Sequence, residues 1–206
     1  MNKKTDSSIR LFENDLLEAI THVHPITPLV MWSPVTCYLL WRSYTVHALS
    51  FLDFVTWFFI AILVWTFTEY TVHRFVFHYP AKSKIGKKLI FLFHGIHHDD
   101  PDDATRLVMP PVPGVILMAL LWGFFQLVIP VKFMDAFMAF FIVGYLCYDY
   151  IHYATHHFPM TSPVGKYLRK FHLRHHHAKE HSKYGVSNPL WDYVFNTVTG
   201  PKKDQK

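Results

Sequence analysis

A chain of 206 residues that is 51% apolar and 17% aromatic, yet carries 16 histidines, has room for one domain and a short tail. So large an apolar share with only 17% charged residues argues against a soluble globule and for a membrane protein. The net charge of +5 does not point to nucleic acid, because the basic residues are scattered between apolar stretches instead of lining one polar face.

Residues 1–27 are polar or mixed and show no cleavable signal peptide. Four apolar stretches follow, at about 28–49, 51–72, 108–129 and 133–151. Each approaches the roughly 20 residues that a helix needs to cross a bilayer. The first is the weakest, interrupted by Arg42 and His47; the second is rich in aromatics (Trp57, Phe58, Phe59, Trp65, Phe67). Pro130 separates the last two as a hairpin break. Between the second and third stretches an amphipathic helix is expected at about 84–98, and another helical stretch at about 167–184 in the tail. Residues 201–206 form a charged end. Cys37 and Cys147 lie in apolar stretches without a CxxC neighbour and read as small core or lipid-facing residues.

Lys and Arg concentrate before the first stretch, between the second and third, and after the fourth. Only Arg42 and Lys132 occupy the other two turns, so both termini and the central loop are expected on the cytoplasmic side. The same two cytoplasmic regions hold the histidine clusters: His73 and His78; His94, His97 and His98; His152 and His156; and His172, His175 and His176. Residues three and four apart share a helix face, so HxxHH and HxxxH each gather imidazoles on one side. The five-residue step from His73 to His78 turns through about 140° and fits a helix end, where the chain bends over the site, better than a continuous helix. Ten such ligands are too many for one ion; two ions with about five each would leave a position open.

Imidazole suits iron, zinc, copper and nickel alike. A lipid-facing setting favours iron, since attack on inert C–H bonds needs activated oxygen. His157, His177 and His181 point away from the shared faces and are expected behind the ligands or in solvent. Asp149 is placed either to fix a ligand tautomer or simply to end a helix, and Asp192 has the same standing. His22, His24 and His47 are assigned no role.

The order and spacing of these histidines resemble the fatty acid hydroxylase superfamily, which includes sterol desaturases and alkyl hydroxylases. The runs HGIHHDDPDDATRLVMPP at 94–111 and YGVSNPLWDY at 184–193 look like its fatty acid 2-hydroxylase branch. The resemblance implies an all-α fold: an integral membrane four-helix transmembrane bundle with a cytoplasmic helical cap (73–107 and 152–200), within a hydroxylase domain spanning 28–200. It also implies that the ten histidines hold two iron ions, that O2 and two electrons are consumed, and that carbon 2 of a fatty acid or ceramide-type acyl chain is hydroxylated. Zinc would be accepted by the same ligands in a purified sample. Met109, Pro110, Pro111 and the Trp191 region would lie near the entrance between cap and membrane. Eukaryotic members often carry a cytochrome b5-like domain. Here the residues before the first apolar stretch are too few for one, and His24-Pro25 is followed by Ile26 and Thr27 instead of Gly-Gly. A separate cytochrome b5-like or ferredoxin-like donor is therefore expected, in a bacterial inner membrane or the endoplasmic reticulum membrane. The competing readings are sterol or carotenoid hydroxylation or desaturation on the same scaffold, and a metal-handling membrane protein.

Overall fold

The computed structural model describes residues 8–177 and 182–199. Among these the chain is helical throughout, with no strand. A short helix, α1 (Asp15–Ala19), precedes α2 (Thr27–Thr45), α3 (Phe51–Val72), α4 (Lys84–Ile90), α5 (Ile96–Asp99), α6 (Pro111–Phe125), α7 (Val131–His157), α8 (Pro163–His177) and α9 (Leu190–Val194). Wider π turns extend α3 over His73–Phe77 and join α4 to α5 over Phe91–Gly95.

α7 is the axis of the molecule. Met134, Ala136, Phe137, Met138, Ala139, Phe141 and Ile142 are all buried, so the helix is covered on every side, as its near-continuous apolar sequence requires. α2 and α3 pack along it. Trp57 stacks on Phe133 with ring centroids 4.9 Å apart, and Trp65 meets Phe141 edge-on at 5.1 Å. Gly144 allows that approach, since a Cβ there would lie 2.6 Å from Trp65 Cγ. By contrast α3 turns Phe51, Leu52, Phe59 and Leu63 outward, an apolar face that water would not tolerate at this density. Its N-terminus is closed by a capping box between Ser50 and Asp53.

Two helical runs, Phe51–Phe77 and Val131–His157, are long and apolar enough to cross a membrane. The third expected stretch is shorter than the sequence suggested. α6 has 15 residues, about 22 Å of helix, against a hydrocarbon core of roughly 30 Å. Pro110 precedes Pro111 and is held extended at ψ 146°, so helix cannot start earlier, and Pro130 bars it from running on. The fourth stretch is longer than expected, 27 residues, and carries His152 and His156 on the same unbroken helix. Arg42 and His47, which interrupt the first stretch, both reach Asp135 of α7 at 3.2 Å, so charge inside the apolar region is paired.

The Trp65–Gly144 contact gives a first test. Gly144→Val should force α3 off α7 and cost about 1–3 kcal/mol of stability, the usual cost of overpacking, read as a lower midpoint for loss of monodispersity on heating in detergent. An unchanged midpoint would mean that the two helices are not in contact there.

Candidate metal centre

The ten clustered histidines converge in two groups of five: His73, His78, His94, His98 and His175, and His97, His152, His156, His172 and His176. Within each group the facing nitrogen atoms lie within 4.8 Å of one another. The HxxHH motifs do not keep their three rings together. In each, the outer pair four residues apart serves one group (His94 with His98, His172 with His176), while the middle histidine, His97 or His175, crosses to the other. On a helix, i+3 and i+4 flank the line of residue i from opposite sides, which lets one turn address two sites. The groups abut where the His98 and His176 rings stack at 4.2 Å.

The His73–His78 step is resolved by winding and not by a bend. His78 N–H donates to the His73 carbonyl five residues back at 3.2 Å, so the turn is π and the fifth residue comes round nearly above the first. His94 sits in the second π turn, which adjusts its phase relative to His97 and His98.

Nε2 is the inward atom wherever two rings meet. His73 and His94 approach at 3.0 Å, His78 and His175 at 3.0 Å, His97 and His152 at 2.9 Å, His156 and His172 at 2.8 Å, and His172 and His176 at 3.0 Å. Ligands at right angles on metal–nitrogen bonds of about 2.1 Å would be about 3.0 Å apart, whereas tetrahedral ones would be about 3.4 Å apart. The donor set therefore fits a transition-metal ion with five neutral nitrogens and a sixth corner open. Burial first, and the neighbouring imidazoles second, hold His94, His97 and His172 well below the ordinary imidazole range, which keeps the rings neutral and the lone pairs available.

What orients the first group is a loop. His73 Nδ1 donates to the Tyr184 carbonyl at 2.5 Å and His175 Nδ1 to the Ser182 carbonyl at 2.7 Å, fixing both tautomers with Nε2 bare. Two buried carboxylates hold that loop from behind. Asp192 accepts from the N–H groups of Tyr184 (2.9 Å) and Gly185 (2.7 Å), and Glu69 from those of Val186 (2.6 Å) and Ser187 (2.8 Å) and from the Ser187 hydroxyl. At Gly185 a Cβ would stand 2.0 Å from the Asn188 carbonyl oxygen, so only glycine fits. The second group is held differently: His172 Nδ1 and His176 Nδ1 are buried with no hydrogen-bond partner among the described residues.

Asp192 thus acts one step behind the histidines. Asp149 meets no imidazole; it accepts from the Tyr145 hydroxyl at 3.3 Å and the Met109 backbone, tying α7 to the entry of α6. His177 is exposed and donates to the Leu173 carbonyl, and His157 packs on Tyr153 outside both groups. His181 lies outside the described residues. Glu69 was missed by sequence reasoning. Its signal was available: of the two carboxylates in a strongly apolar segment, Asp53 sits at the helix start and Glu69 lies one helical turn before His73.

A cavity of about 650 Å3 reaches both groups through His94, His97 and His152. Its walls are mainly apolar, from α1, α4, α5 and the 106–113 segment, and include Met109, Pro110 and Pro111. Trp191, expected near the same entrance, instead packs on Phe67 and donates from its indole N–H to Thr66 on α3. His22 and His24, given no role from sequence, line the cavity wall. There Arg106 bonds Glu18, the Ile9 carbonyl and His22, and Val23 N–H donates to the Thr105 carbonyl at 2.7 Å. Burial raises the Glu18 carboxyl, but backbone N–H groups of Phe12 and Leu11 together with Arg106 overcome it and leave it at about 2. A slot of about 40 Å3 between α3, α6 and α7 shares Phe77, Met109 and Tyr148 with this cavity.

Removing Glu69 leaves the Val186 and Ser187 donors without acceptors, at about 1–3 kcal/mol each. Glu69→Ala should therefore lower stability by several kcal/mol, and Asp192→Asn, which keeps one acceptor oxygen, by less. Metal analysis of Glu69→Ala should show loss from the group containing His73 and His175 first, with about 10–100-fold weaker affinity. Full retention of two ions per chain under chelator challenge would show that the loop does not orient the ligands.

Comparison with known proteins places this geometry. The fatty acid hydroxylase family model matches residues 58–197. The chain is 37% identical to a dihydroceramide fatty acyl 2-hydroxylase of Arabidopsis thaliana, covering 96% of this chain and 83% of that one. It is 34% identical to the fatty acid 2-hydroxylase of Homo sapiens, covering 96% and 59%. A solved structure of full-length scs7p, in which only the hydroxylase domain is visible, superposes with a TM-score of 0.85 at 36% identity, covering 94% of this chain and 73% of that one. With the family model spanning two thirds of its length and the relatives nearly all of it, this chain belongs to the fatty acid hydroxylase family.

Proposed function

We propose that this chain is a membrane-bound fatty acyl 2-hydroxylase, acting on a fatty acid or on the acyl chain of a ceramide-type lipid. One observation carries the reading: a largely apolar cavity, large enough for a segment of lipid chain, is walled at one point by histidines of both five-membered groups. The names of the relatives, fatty acid and ceramide hydroxylases among them, point to the same substrate class.

In this reading the ten histidines are the ligands of two iron ions, with His73, His78, His94, His98 and His175 on one and His97, His152, His156, His172 and His176 on the other. Iron held there would supply reductive activation of O2, one oxygen atom entering a C–H bond and the other leaving as water with two electrons and two protons consumed. The protein's own part is placement. The cavity walls take the acyl chain out of water, Met109 and Pro110 shape its path, and the Tyr184 and Ser182 carbonyls hold the rings of His73 and His175. The domain would run over 28–200, as four membrane helices under a cytoplasmic cap, with both termini and the metal centre on the cytoplasmic side. Short α6 would span a thinned bilayer, or its neighbouring residues would complete the crossing.

Lipid profiling tests this. Cells expressing the chain should accumulate 2-hydroxy acyl lipids, and cells expressing His97→Ala should not. Metal content in that variant should fall from two ions per chain toward one. Products lighter by two hydrogens, or oxidised sterols in place of hydroxy acids, would move the assignment to another reaction of the family. A fully active His97→Ala variant would refute the ligand set.

A further inference from the structure

The face of α8 opposite the metal centre is basic. Lys166, Lys170 and Arg174 recur every four residues, so they form one stripe, flanked by Arg169 and His177. Leu168, Phe171 and His175 occupy the other side of the same helix and are buried. Lys166, Arg169, Lys170, Leu173, Arg174 and His177 line an open groove of about 440 Å3 beside Pro159. Among the described residues none of the four Lys and Arg side chains makes an ion pair, and Arg169 Nε is buried without a hydrogen-bond partner. Three arginines elsewhere are paired, Arg106 with Glu18, Arg42 with Asp135 and Arg10 with Asp15.

We infer that this groove is the docking surface for an acidic one-electron carrier protein that supplies the electrons of the reaction. The inference rests on the function proposed above, which consumes two electrons per turnover and names no route for them. The geometry supplies the route. The stripe and the ligands His172 and His176 share one helix, so a carrier seated on the basic face is about one helix diameter, roughly 10–12 Å, from the second histidine group. The carrier delivers two electrons one at a time and leaves oxidised, and the two protons come from solvent. Unpaired like charges on a rim raise the encounter rate of an oppositely charged partner and let it go again after transfer, which a carrier must do. An anionic membrane surface fits this stripe less well. A helix lying on a membrane inserts a continuous apolar face beside its basic one, and in α8 Leu168 and Phe171 are spent inside the protein, leaving only Val164 and Tyr167 exposed near its start.

The experiment uses the metal-loaded full chain in neutral-lipid nanodiscs, with a soluble cytochrome b5 haem domain and a plant-type ferredoxin as acidic probes. Unaltered protein is compared with the triple variant K166E/K170E/R174E. Binding of at least one probe should weaken about tenfold or more in the variant, and the salt dependence of association should flatten. Hydroxylation driven by dithionite should be unchanged, and so should metal content. Equal probe affinity and equal salt dependence in the two proteins would overturn the docking assignment, as would charge reversal that abolishes binding only to nanodiscs rich in anionic lipid. If dithionite yields no hydroxylated lipid even from unaltered protein, the proposed reaction fails, and the docking surface is still judged by probe affinity.

Discussion

Five imidazole lone pairs aimed at one point, all within 4.8 Å of one another, repel until a cation sits among them. That repulsion is the constraint around which the rest of this chain is arranged. Each group is an arrangement that isolated segments would never keep, so the binding energy of an ion and the stability of the surrounding helices would be coupled. Something rigid must hold the rings in place meanwhile. α7 does so for His152 and His156 by burying its middle, Met134 to Ile142, in the core, and α8 for His172 and His176 by packing Leu168 and Phe171 beneath them. At the end of α3 the π turn does it for His73 and His78.

The crossing of the middle histidines ties the two groups into one unit. His97 leaves its own triplet to join ligands from α7 and α8, and His175 leaves α8 to join ligands from the ends of α3 and α5. Neither group can therefore be assembled from one half of the sequence. The halves contribute in the same pattern, a pair at the end of a long apolar helix and an HxxHH triplet soon after, so the site has an approximate internal two-fold relation. The two groups are steered differently: His73 and His175 lean on backbone carbonyls, whereas the Nδ1 atoms of His172 and His176 are buried without partners among the described residues.

Much of this was legible in the sequence because it depends on local period. Apolar runs marked the long helices, and the four-residue histidine spacings marked rings that share a group, whereas the three-residue spacings did not. What was not legible depends on winding or on distant chain. Nothing in the residues His73 to His78 announces a π turn, since propensity scales describe α winding only. The partition of each triplet between two groups is set by how α5 and α8 approach each other. The length of α6 was overestimated because hydropathy ignores that Pro110 and Pro111 forbid helix before them. Asp149 sat at the right spacing to meet His152, but helix geometry turns it toward Tyr145 and Met109. Glu69 finds its partners 117 and 118 residues away, a distance no local pattern carries.

That last separation has a bearing on how the molecule is made. Glu69 is among the earlier residues to leave the ribosome, and the backbone that satisfies it is among the later ones. The bare carboxylate at the end of α3 must wait, hydrated or protonated, until Val186 and Ser187 arrive and bond to it. Only then do His73 and His175 acquire their carbonyl supports. Alignment of the group of His73 and His175 is thereby deferred until residues 182–187 are in place, after the cavity walls from earlier in the chain can have folded. A nascent protein built in this order would not align those five rings while they were still open to water.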